Sequence, residues 1–259
     1  MKPVLYVIKI GGQVVENAAL LGPLLDAFAA LPGFKVLVHG GGKRASELSR
    51  TLGIEPAMVD GRRITDVSTL DVVTMVYAGL INKNLVAGLQ ARSVNALGLS
   101  GADGNAILAR RRAAGAIDYG FVGDVVSVNA ALLNELMQGG RCPVCCPITH
   151  DGSGQLLNTN ADTIASAIAV ALTEYYSVRL WYCFEKPGVL LDPDDDGSVI
   201  ATLTPDVYAE YRAQGIITAG MIPKLDNAFA AIRQGVESVV IANPENVFKG
   251  AGTMLTTLY

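Results

Sequence analysis

The chain opens with the stretch Val4-Leu5-Tyr6-Val7-Ile8-Lys9-Ile10-Gly11-Gly12, which predicts a strand buried on both faces because nearly every residue is apolar and many are β-branched. Lys9 stands inside this strand, where an ammonium is costly unless it reaches an anion or the open end of the sheet. Gly11 and Gly12 follow, and glycine lets backbone approach a ligand closely. A lysine at the carboxyl end of a strand, beside bare N–H groups, predicts a site for a phosphoryl group.

The composition limits the class of protein. The 259 residues carry a net charge of -4, with 51% hydrophobic and 17% charged residues, enough to bury a large core and some subunit interface. Mild acidity argues against nucleic acid or an anionic membrane as the main partner. No uninterrupted apolar run reaches the roughly 18 residues that span a bilayer, and the N-terminus lacks the pattern of a signal peptide. We therefore expect a cytoplasmic protein without a membrane segment.

Strands alternate with helices along almost the whole chain. Strands are predicted at 35–39, 96–99, 106–109, 121–128, 141–148, 178–183 and 238–242, and helices at 43–52, 67–90, 130–138, 161–172, 205–214 and 224–234. This alternation predicts an α/β fold, a three-layer αβα sandwich with a central, mainly parallel sheet. The glycine and polar motifs cluster in the first part, so we expect a change of role near residue 172 along one continuous sheet.

A second glycine motif, Gly40-Gly41-Gly42, joins a predicted strand to a predicted helix. Helix N-terminal N–H groups beside a glycine turn can bind an anion, although a purely structural tight turn is an alternative. Gly40, Gly42 and Ala45 also match the dinucleotide spacing G-x-G-x-x-A, and Asp60 follows about 20 residues later. Pro56 interrupts the strand that such a fold requires next, which disfavours the dinucleotide interpretation.

Three polar motifs lie farther along the chain. The run Asn158-Thr159-Asn160-Ala161-Asp162 suits a helix cap, or contacts to a polar substrate with Asp162 orienting nearby cations. Lys224 begins a predicted helix, where a cation opposes the helix dipole, so it indicates an anion nearby unless it is simply solvated. Arg62 and Arg63 follow Gly61; arginine binds carboxylates in a bidentate manner, but a lone arginine is usually a surface residue.

Other motifs point to no chemistry of their own. Cys142 and Cys145 have C-x-x-C spacing, but the chain has two histidines and no second cysteine pair, so core thiols are favoured and no metal site is predicted. The segment 192–197 mimics a calcium loop, yet Leu203 stands where the loop needs glutamate, which favours a solvated turn. The basic run 110–112 is interpreted as a solvated face. Neither a P-loop nor a protein-kinase motif is present, so phosphoryl transfer would need another architecture.

Taken together, and in their order, these motifs resemble those of the amino acid kinase family over almost the whole chain. The first strand with its glycines, His39-Gly40-Gly41-Gly42, and the segment that carries Arg63 are similar to three family motifs. Segments 98–104 and 120–123 resemble those flanking the pocket for an acylated amino acid. The resemblance implies an amino acid kinase-like sheet in which residues 1–172 bind N-acylated glutamate and form the dimer, while residues 173–259 bind the nucleotide.

The activity that the resemblance implies is ATP-dependent phosphorylation of the side-chain carboxylate of N-acetyl-L-glutamate, a step of arginine biosynthesis. A glutamate carboxylate has a pKa of about 4.3 and needs no general base. Mg²⁺ would arrive with ATP, held by phosphate oxygens and water. Alternatives are N-succinyl-L-glutamate as the acceptor, a kinase of carbamate, a nucleotide or free glutamate, and a non-catalytic relative. A dinucleotide oxidoreductase is the least favoured.

The resemblance assigns residues to three sets. It implies catalytic roles for Lys9, Lys224 and Asp162, with the lysines clamping the transferred phosphoryl group and Asp162 holding them in place. It implies substrate binding by Gly41, Gly42, Arg63, Asn158 and Asn160. It implies phosphate or nucleotide binding by Gly11, Gly12, Glu185, Gly188, Ile216, Ile217 and Thr218.

Some positions depart from the family pattern. Phe184 and Glu185 stand where members usually carry a hydroxyl residue and an aspartate, which predicts altered nucleotide contacts. Ala102 and Ala219 replace a frequent lysine and aspartate, which leaves the acyl group open. Arginine-inhibited hexameric members carry a helix before the first strand, whereas this strand begins near residue 4. We therefore expect an arginine-insensitive homodimer.

Overall fold

Eight strands form the main sheet of the structure, a computed structural model that describes residues 1–59, 62–217 and 221–257. The strands are β1 (Val4–Ile10), β2 (Phe34–His39), β3 (Met58–Val59), β4 (Arg62–Arg63), β5 (Ala96–Leu99), β6 (Ile107–Arg111), β7 (Gly123–Val128), β8 (Cys142–Cys145), β9 (Ile148–His150), β10 (Leu156–Asn158), β11 (Ser177–Cys183), β12 (Thr202–Leu203), β13 (Ser238–Ala242) and β14 (Thr253–Leu255). The main sheet has the order β12-β14-β13-β11-β1-β2-β8-β5, and only β13 and β14 pair antiparallel.

Helices cover both faces of this sheet. They are α1 (Gly12–Glu16), α2 (Ala18–Ala30), α3 (Gly42–Thr51), α4 (Val67–Thr74), α5 (Asn82–Gln90), α6 (Ala130–Gln138), α7 (Ala161–Leu172), α8 (Pro205–Ala213), α9 (Ile222–Arg233) and α10 (Pro244–Val247). Side chains alternate along β2: Val36 and Val38 join one core with α6, α7 and α9, and Leu37 joins the other with α2, α4 and α5. The predicted three-layer αβα sandwich with a mainly parallel sheet is confirmed.

The first strand occupies the centre of the sheet, between β11 and β2. Lys9 lies opposite Tyr182 of β11 and Val38 of β2, one residue before β1 ends. β2 and β11 run parallel to β1 and also end at this edge, so the loops that follow these three strands meet there. The strands β1, β2, β8 and β5 lie on one side of the β1–β11 junction, and the four from β11 onward lie on the other.

The long helical stretch predicted at 67–90 is present and continuous. A π-helical segment, Met75–Ile81, joins α4 to α5. By length and composition this helix could cross a membrane, although it contains no uninterrupted apolar run of that length. In its most apolar window of 18 residues, 44% of the residues are buried. Core helices of soluble proteins meet the same criterion. Val73, Tyr77 and Leu85 pack it into the second core.

One predicted strand was wrong, and some elements were missed. The strand expected at 141–148 is two strands, because the chain leaves the main sheet at Pro147 and β9 pairs with β10 in a second sheet of four strands. The sequence pattern also missed α2 and the antiparallel strand β14. Segment 54–59 contributes only β3, which pairs with β4 outside the main sheet, so the strand that a dinucleotide fold needs is missing there. Asp60, part of that interpretation, lies outside the described residues.

The four cysteines are free and buried, as expected for core thiols. Burial raises the pKa of Cys142 to about 12, and it also raises the pKa of Cys146 and of Cys183 to about 12. A thiol becomes reactive as the thiolate, so these side chains are inert packing groups near neutral pH.

Candidate active site

Two lysines from distant parts of the chain meet on one carboxylate at the carboxyl edge of the sheet. The Nζ of Lys9 lies 2.7 Å from Oδ1 of Asp162, and the Nζ of Lys224 bonds to Oδ2 of the same group. Asp162 is the second residue of α7, and Lys224 lies in the first turn of α9. Lys9 and Asp162 are each only 7% exposed. The structure therefore brings together all three residues that the resemblance assigned to catalysis.

Their protonation follows from burial and from one another. Burial disfavours the charged form of Asp162, but Lys9 and Lys224 outweigh it and lower the pKa of this carboxyl to about 2. Burial lowers the pKa of Lys9, an effect opposed by Asp162 and reinforced by Lys224. The cluster thus carries two ammonium groups on one carboxylate, and a further anion beside the lysines would balance its charge.

The two glycine turns lie against each other beside this cluster. A Cβ at Gly12 would lie 3.4 Å from the backbone nitrogen of Gly41. In the part of the chain that the structure describes, no group accepts a hydrogen bond from the N–H of Gly12, Gly41 or Gly42. The prediction that Gly11 also offers its N–H needs correction, because that group donates to the carbonyl of Cys183 at 2.9 Å.

Gly41 is glycine for two structural reasons. Its φ is 156°, in the region that side chains rarely adopt, and an added Cβ would lie 2.2 Å from Cδ1 of Ile81. The π-helical segment supplies both Ile81 and Tyr77, whose ring would lie 3.2 Å from the same Cβ. The turn and the long helix therefore fit together only with a bare backbone at position 41.

A polar cavity of about 210 Å³ opens next to these turns. It is lined by all five residues assigned to substrate binding, which are Gly41, Gly42, Arg63, Asn158 and Asn160. Segment 120–123 reaches it through Val122 and Gly123, whereas no residue of segment 98–104 lines it. We call this space the acceptor cavity.

Arg63 is anchored on one side and open on the other. Its Nη2 donates to the carbonyl of Gly42 at 2.8 Å and to Oγ of Ser46 at 2.7 Å. Its Nη1 is buried and has no partner among the described residues. A guanidinium that is 7% exposed and keeps a free pair of N–H bonds in a cavity is built to receive a carboxylate.

The two asparagines have structural partners as well as cavity positions. Nδ2 of Asn158 donates to Oγ1 of Thr65 at 3.0 Å. Oδ1 of Asn160 accepts from the backbone N–H groups of Asp162 and Thr163, so this residue is the N-cap of α7. The cap fixes the first turn of α7 and with it the position of Asp162, and both asparagines line the acceptor cavity.

Arg112 and Tyr77 are among the cavity residues that the sequence did not indicate. Arg112 was assigned to a solvated face, but it lines the cavity, pairs with Asp124 through Nε and Nη2, and keeps a buried Nη1 without a described partner. Tyr77 lies within the long helix predicted at 67–90 and also lines the cavity. Burial raises the pKa of Tyr77, so its hydroxyl is neutral at pH 7. A run of three arginines gives no sign of which one turns inward.

A second cavity, mostly apolar and about 140 Å³, is formed by residues of the C-terminal part of the chain. Gly188, Ile216 and Ile217, which the resemblance assigned to the nucleotide, line it together with Phe184. Glu185, assigned to the same set, does not line it; it is exposed and accepts from Nε2 of Gln13 at 3.4 Å. Thr218 lies outside the described residues. We call this space the apolar cavity.

Sequence neighbours of the cluster line both cavities. Ala161, beside Asp162, lines the acceptor cavity, and Met221, one helical turn before Lys224, lines the apolar cavity.

The carboxylates of segment 192–197, which mimics a calcium loop, bind groups of the protein itself. Asp196 pairs with Lys186 at 2.9 Å, and Asp192 and Asp195 accept backbone N–H groups within the loop. Lys186 lines the apolar cavity, so the loop fixes one wall of that cavity. Among the described residues no cluster of three acidic, histidine or cysteine side chains could hold a metal ion.

Comparison with known proteins agrees with this architecture. The sequence profile of the amino acid kinase family matches residues 5–243. The chain belongs to the amino acid kinase family. This finding confirms the resemblance inferred from the glycine, arginine and lysine motifs.

Relatives and solved structures cover the chain from end to end. Acetylglutamate kinase of Phocaeicola vulgatus is 56% identical over 255 residues, which cover 98% of this chain and 99% of the relative. The enzyme of the same name from Methanopyrus kandleri is 42% identical over 96% of this chain and 99% of its own length. The crystal structure of smu.665 from Streptococcus mutans is 28% identical, with a TM-score of 0.80 over 98% of this chain and 99% of that one.

Proposed function

We propose that the chain transfers the γ-phosphoryl group of ATP to the side-chain carboxylate of N-acetyl-L-glutamate, as the name of its full-length relatives indicates. The observation that carries the proposal is the cluster of Lys9, Asp162 and Lys224, whose sequence neighbours line a cavity with a free guanidinium and an apolar cavity. The product is an acyl phosphate, and its further use belongs to arginine biosynthesis.

In the acceptor cavity, Nη1 of Arg63 binds the α-carboxylate of the substrate, and Asn158 and Asn160 bind its amide. The far end of the substrate then points toward the free N–H groups of Gly41 and Gly42. The attacking oxygen is already anionic, because a glutamate side chain ionises at about pH 4.3. No side chain has to remove a proton before the attack.

In the apolar cavity, the adenine ring stacks near Phe184 and packs on Ile216 and Ile217. The triphosphate extends toward Gly12, and Mg²⁺ accompanies it on phosphate oxygens and water. Residues 1–172 then carry the acceptor site and residues 173–259 the nucleotide site. This division, a homodimer and a cytoplasmic location stay predictions.

The chemical step brings one anion against another. An oxygen of the carboxylate forms a bond to the γ-phosphorus, the bond from that phosphorus to the bridging oxygen breaks, and ADP leaves. Lys9 and Lys224 approach the transferred group from two sides and offset its charge in the transition state. Asp162 keeps both ammonium groups charged and in place, because its carboxylate lies between them.

A side-by-side phosphorylation assay tests the proposed function. With MgATP, N-acetylglutamate should give ADP and an acyl phosphate that hydroxylamine traps, and free glutamate should react at least about a hundredfold less efficiently, since a missing acyl contact costs several kcal/mol. N-succinylglutamate is the third acceptor, because the free Nη1 of Arg112 could serve an additional carboxylate. The absence of transfer to both acylated substrates would overturn the proposal.

Arg63→Lys should raise KM for the acceptor about 10- to 100-fold, with kcat for saturating acceptor changed far less. A lysine can keep either the contact to the α3 segment or the contact to the substrate, and a charged hydrogen bond is worth about 1.5–3 kcal/mol. Arg50→Lys is the matched control. Arg50 lies in α3, the helix that Arg63 contacts, but it forms only an exposed ion pair with Glu55. The measurement is steady-state kinetics with each substrate varied in turn. An equal KM for the acceptor in the two variants would contradict the role of Arg63 in binding the acceptor.

A further inference from the structure

A buried chain of hydrogen bonds runs behind the second glycine turn and uses groups to which no role has yet been assigned. His39, the last residue of β2, is fully buried, and Asn82 at the start of α5 is 1% exposed. Nδ1 of His39 lies 2.9 Å from the carbonyl oxygen of Gly40, and Nε2 lies 3.2 Å from Nδ2 of Asn82. Buried polar groups joined in this way fix one another's orientation.

The partners determine the tautomer of the histidine. The carbonyl of Gly40 can only accept, so Nδ1 of His39 carries the proton. Nε2 must then accept, and Nδ2 of Asn82 donates to it and also to the carbonyl of Val144 at 2.9 Å. Burial, with Lys83 and Lys9 nearby, lowers the pKa of His39 to about 4, so the ring is neutral at pH 7.

The other end of the asparagine is fixed as well. Oδ1 of Asn82 accepts from Nζ of Lys83 at 3.1 Å, so the amide cannot turn over without losing both its donor and its acceptor partners. Gly98 leaves the room for this group, because a Cβ there would lie 1.9 Å from Oδ1 of Asn82. The glycine that was expected to flank the acceptor cavity therefore has a different task, one step behind the site.

The direction of one peptide group depends on this chain of bonds. In a planar trans peptide, the carbonyl of Gly40 and the N–H of Gly41 point in opposite directions. A carbonyl held on the ring of His39 thus turns the N–H of Gly41 away from the ring. Gly41 lines the acceptor cavity, and no described group accepts from this N–H.

We propose that His39 and Asn82 are positioning residues, which hold the Gly40–Gly41 peptide so that the N–H of Gly41 faces the attacking carboxylate. Glycine has little conformational preference of its own, so a peptide between two glycines needs such support to keep a single orientation. The proposal rests on the proposed function for the identity of the carboxylate, but the tautomer and the peptide orientation do not depend on it.

Variants at His39 separate this role from simple packing. In His39→Asn, the side-chain Nδ2 takes the place of the ring Nδ1 and can still donate to Gly40, whereas His39→Leu fills the space without a donor. We expect His39→Leu to lower kcat/KM for N-acetylglutamate about 10- to 100-fold, with KM for MgATP within about threefold, because one hydrogen bond to a charged group is lost. His39→Asn should recover most of that loss.

Gly98→Ala offers a perturbation that removes no polar group. Its Cβ must displace Asn82, so we expect a smaller change of the same kind, a raised KM for the acceptor and an unchanged KM for MgATP. Equal kinetics of His39→Leu and His39→Asn, or a kcat/KM for the acceptor unchanged in both His39→Leu and Gly98→Ala, would overturn the proposal.

A spectroscopic measurement stays informative if a variant fails to fold or the proposed function is wrong. The chain has two histidines, so long-range ¹H–¹⁵N spectra of the wild-type protein, assigned with His150→Gln, report the ring of His39 directly. The proposal requires a neutral ring with the proton on Nδ1 at pH 7. A proton on Nε2, or on both nitrogens, would refute it even if no acceptor substrate were phosphorylated. The expected tautomer in a protein that phosphorylates neither acylated glutamate would instead limit the failure to the proposed function.

Discussion

Lys9→Ala should lower kcat about 10²- to 10³-fold while KM for both substrates stays within about threefold, which is the cost of removing one preorganised donor from a charged transition state. Lys9 is buried at the end of the central strand and lies 2.7 Å from Asp162, so it is ready before substrate binds. Its contact with the transferred group strengthens as charge moves onto the phosphoryl oxygens. A change in kcat without a change in KM is the sign of such an interaction.

Lys35→Met provides the control for this experiment. Lys35 lies in the neighbouring strand β2 and donates to the carbonyls of Phe28, Ala29 and Leu31 at the end of α2, with distances of 2.8–2.9 Å. Its loss should lower the thermal midpoint and leave kcat unchanged. The Lys9 variant should show the reverse, because Asp162 keeps Lys224 as its partner. Turnover within about threefold of the wild type in Lys9→Ala would remove Lys9 from the mechanism.

The layered architecture could be predicted from the sequence because each central strand has its own run of apolar residues. A central parallel strand must be apolar on both faces, and β1 and β13 show this pattern without any reference to the rest of the chain. Strand β14 escaped detection because it has only three residues and its pairing depends on the positions of β12 and β13. The break at Pro147 likewise depends on β10, because β10 pairs with the residues after Pro147, which form β9 of the second sheet.

The difference between local patterns and tertiary packing also explains which parts of the candidate site could be predicted. Lys9 and Lys224 stood out because each is costly in its local setting, a lysine within an apolar strand and a lysine at a helix start. The inward orientation of Arg112 and the engagement of the Gly11 N–H by Cys183 are consequences of tertiary packing. No local pattern in a run of arginines or in a pair of glycines distinguishes these outcomes.

Asp162→Asn should affect both turnover and stability, more than any other single change in the cluster. The carboxylate is buried between two ammonium groups, and the amide would leave both without a counter-ion. Loss of one partner of a buried ion pair costs about 3–5 kcal/mol. In a chain of this size such a loss lowers Tm by roughly 6–20 °C at 2–4 °C for each kcal/mol. We also expect kcat to fall at least about a hundredfold, because neither lysine keeps its position.

Ionisation of Asp162 should also contribute to the pH dependence of stability. The pKa of Asp162 is lowered to about 2 in the folded protein, compared with about 3.9 in an unfolded chain. A lowered carboxyl pKa stabilises the fold above the unfolded value, and the contribution is lost as the pH falls through the folded value. The difference in the free energy of unfolding between wild type and Asp162→Asn should therefore stay constant from pH 7 to about 4 and narrow toward pH 2.

A double variant distinguishes electrostatics from general disruption of α7. In Lys9→Met/Asp162→Asn, one of the two uncompensated charges is gone, so the free energy of unfolding should recover by more than about 1 kcal/mol relative to Asp162→Asn, a coupling expected only between residues in contact. Turnover should not recover, because the clamp on the phosphoryl group has lost a lysine as well as the carboxylate. Additive losses of stability would mean that Lys9 and Asp162 act independently, and recovery of turnover would mean that Asp162 serves the reaction by some route other than holding the lysines.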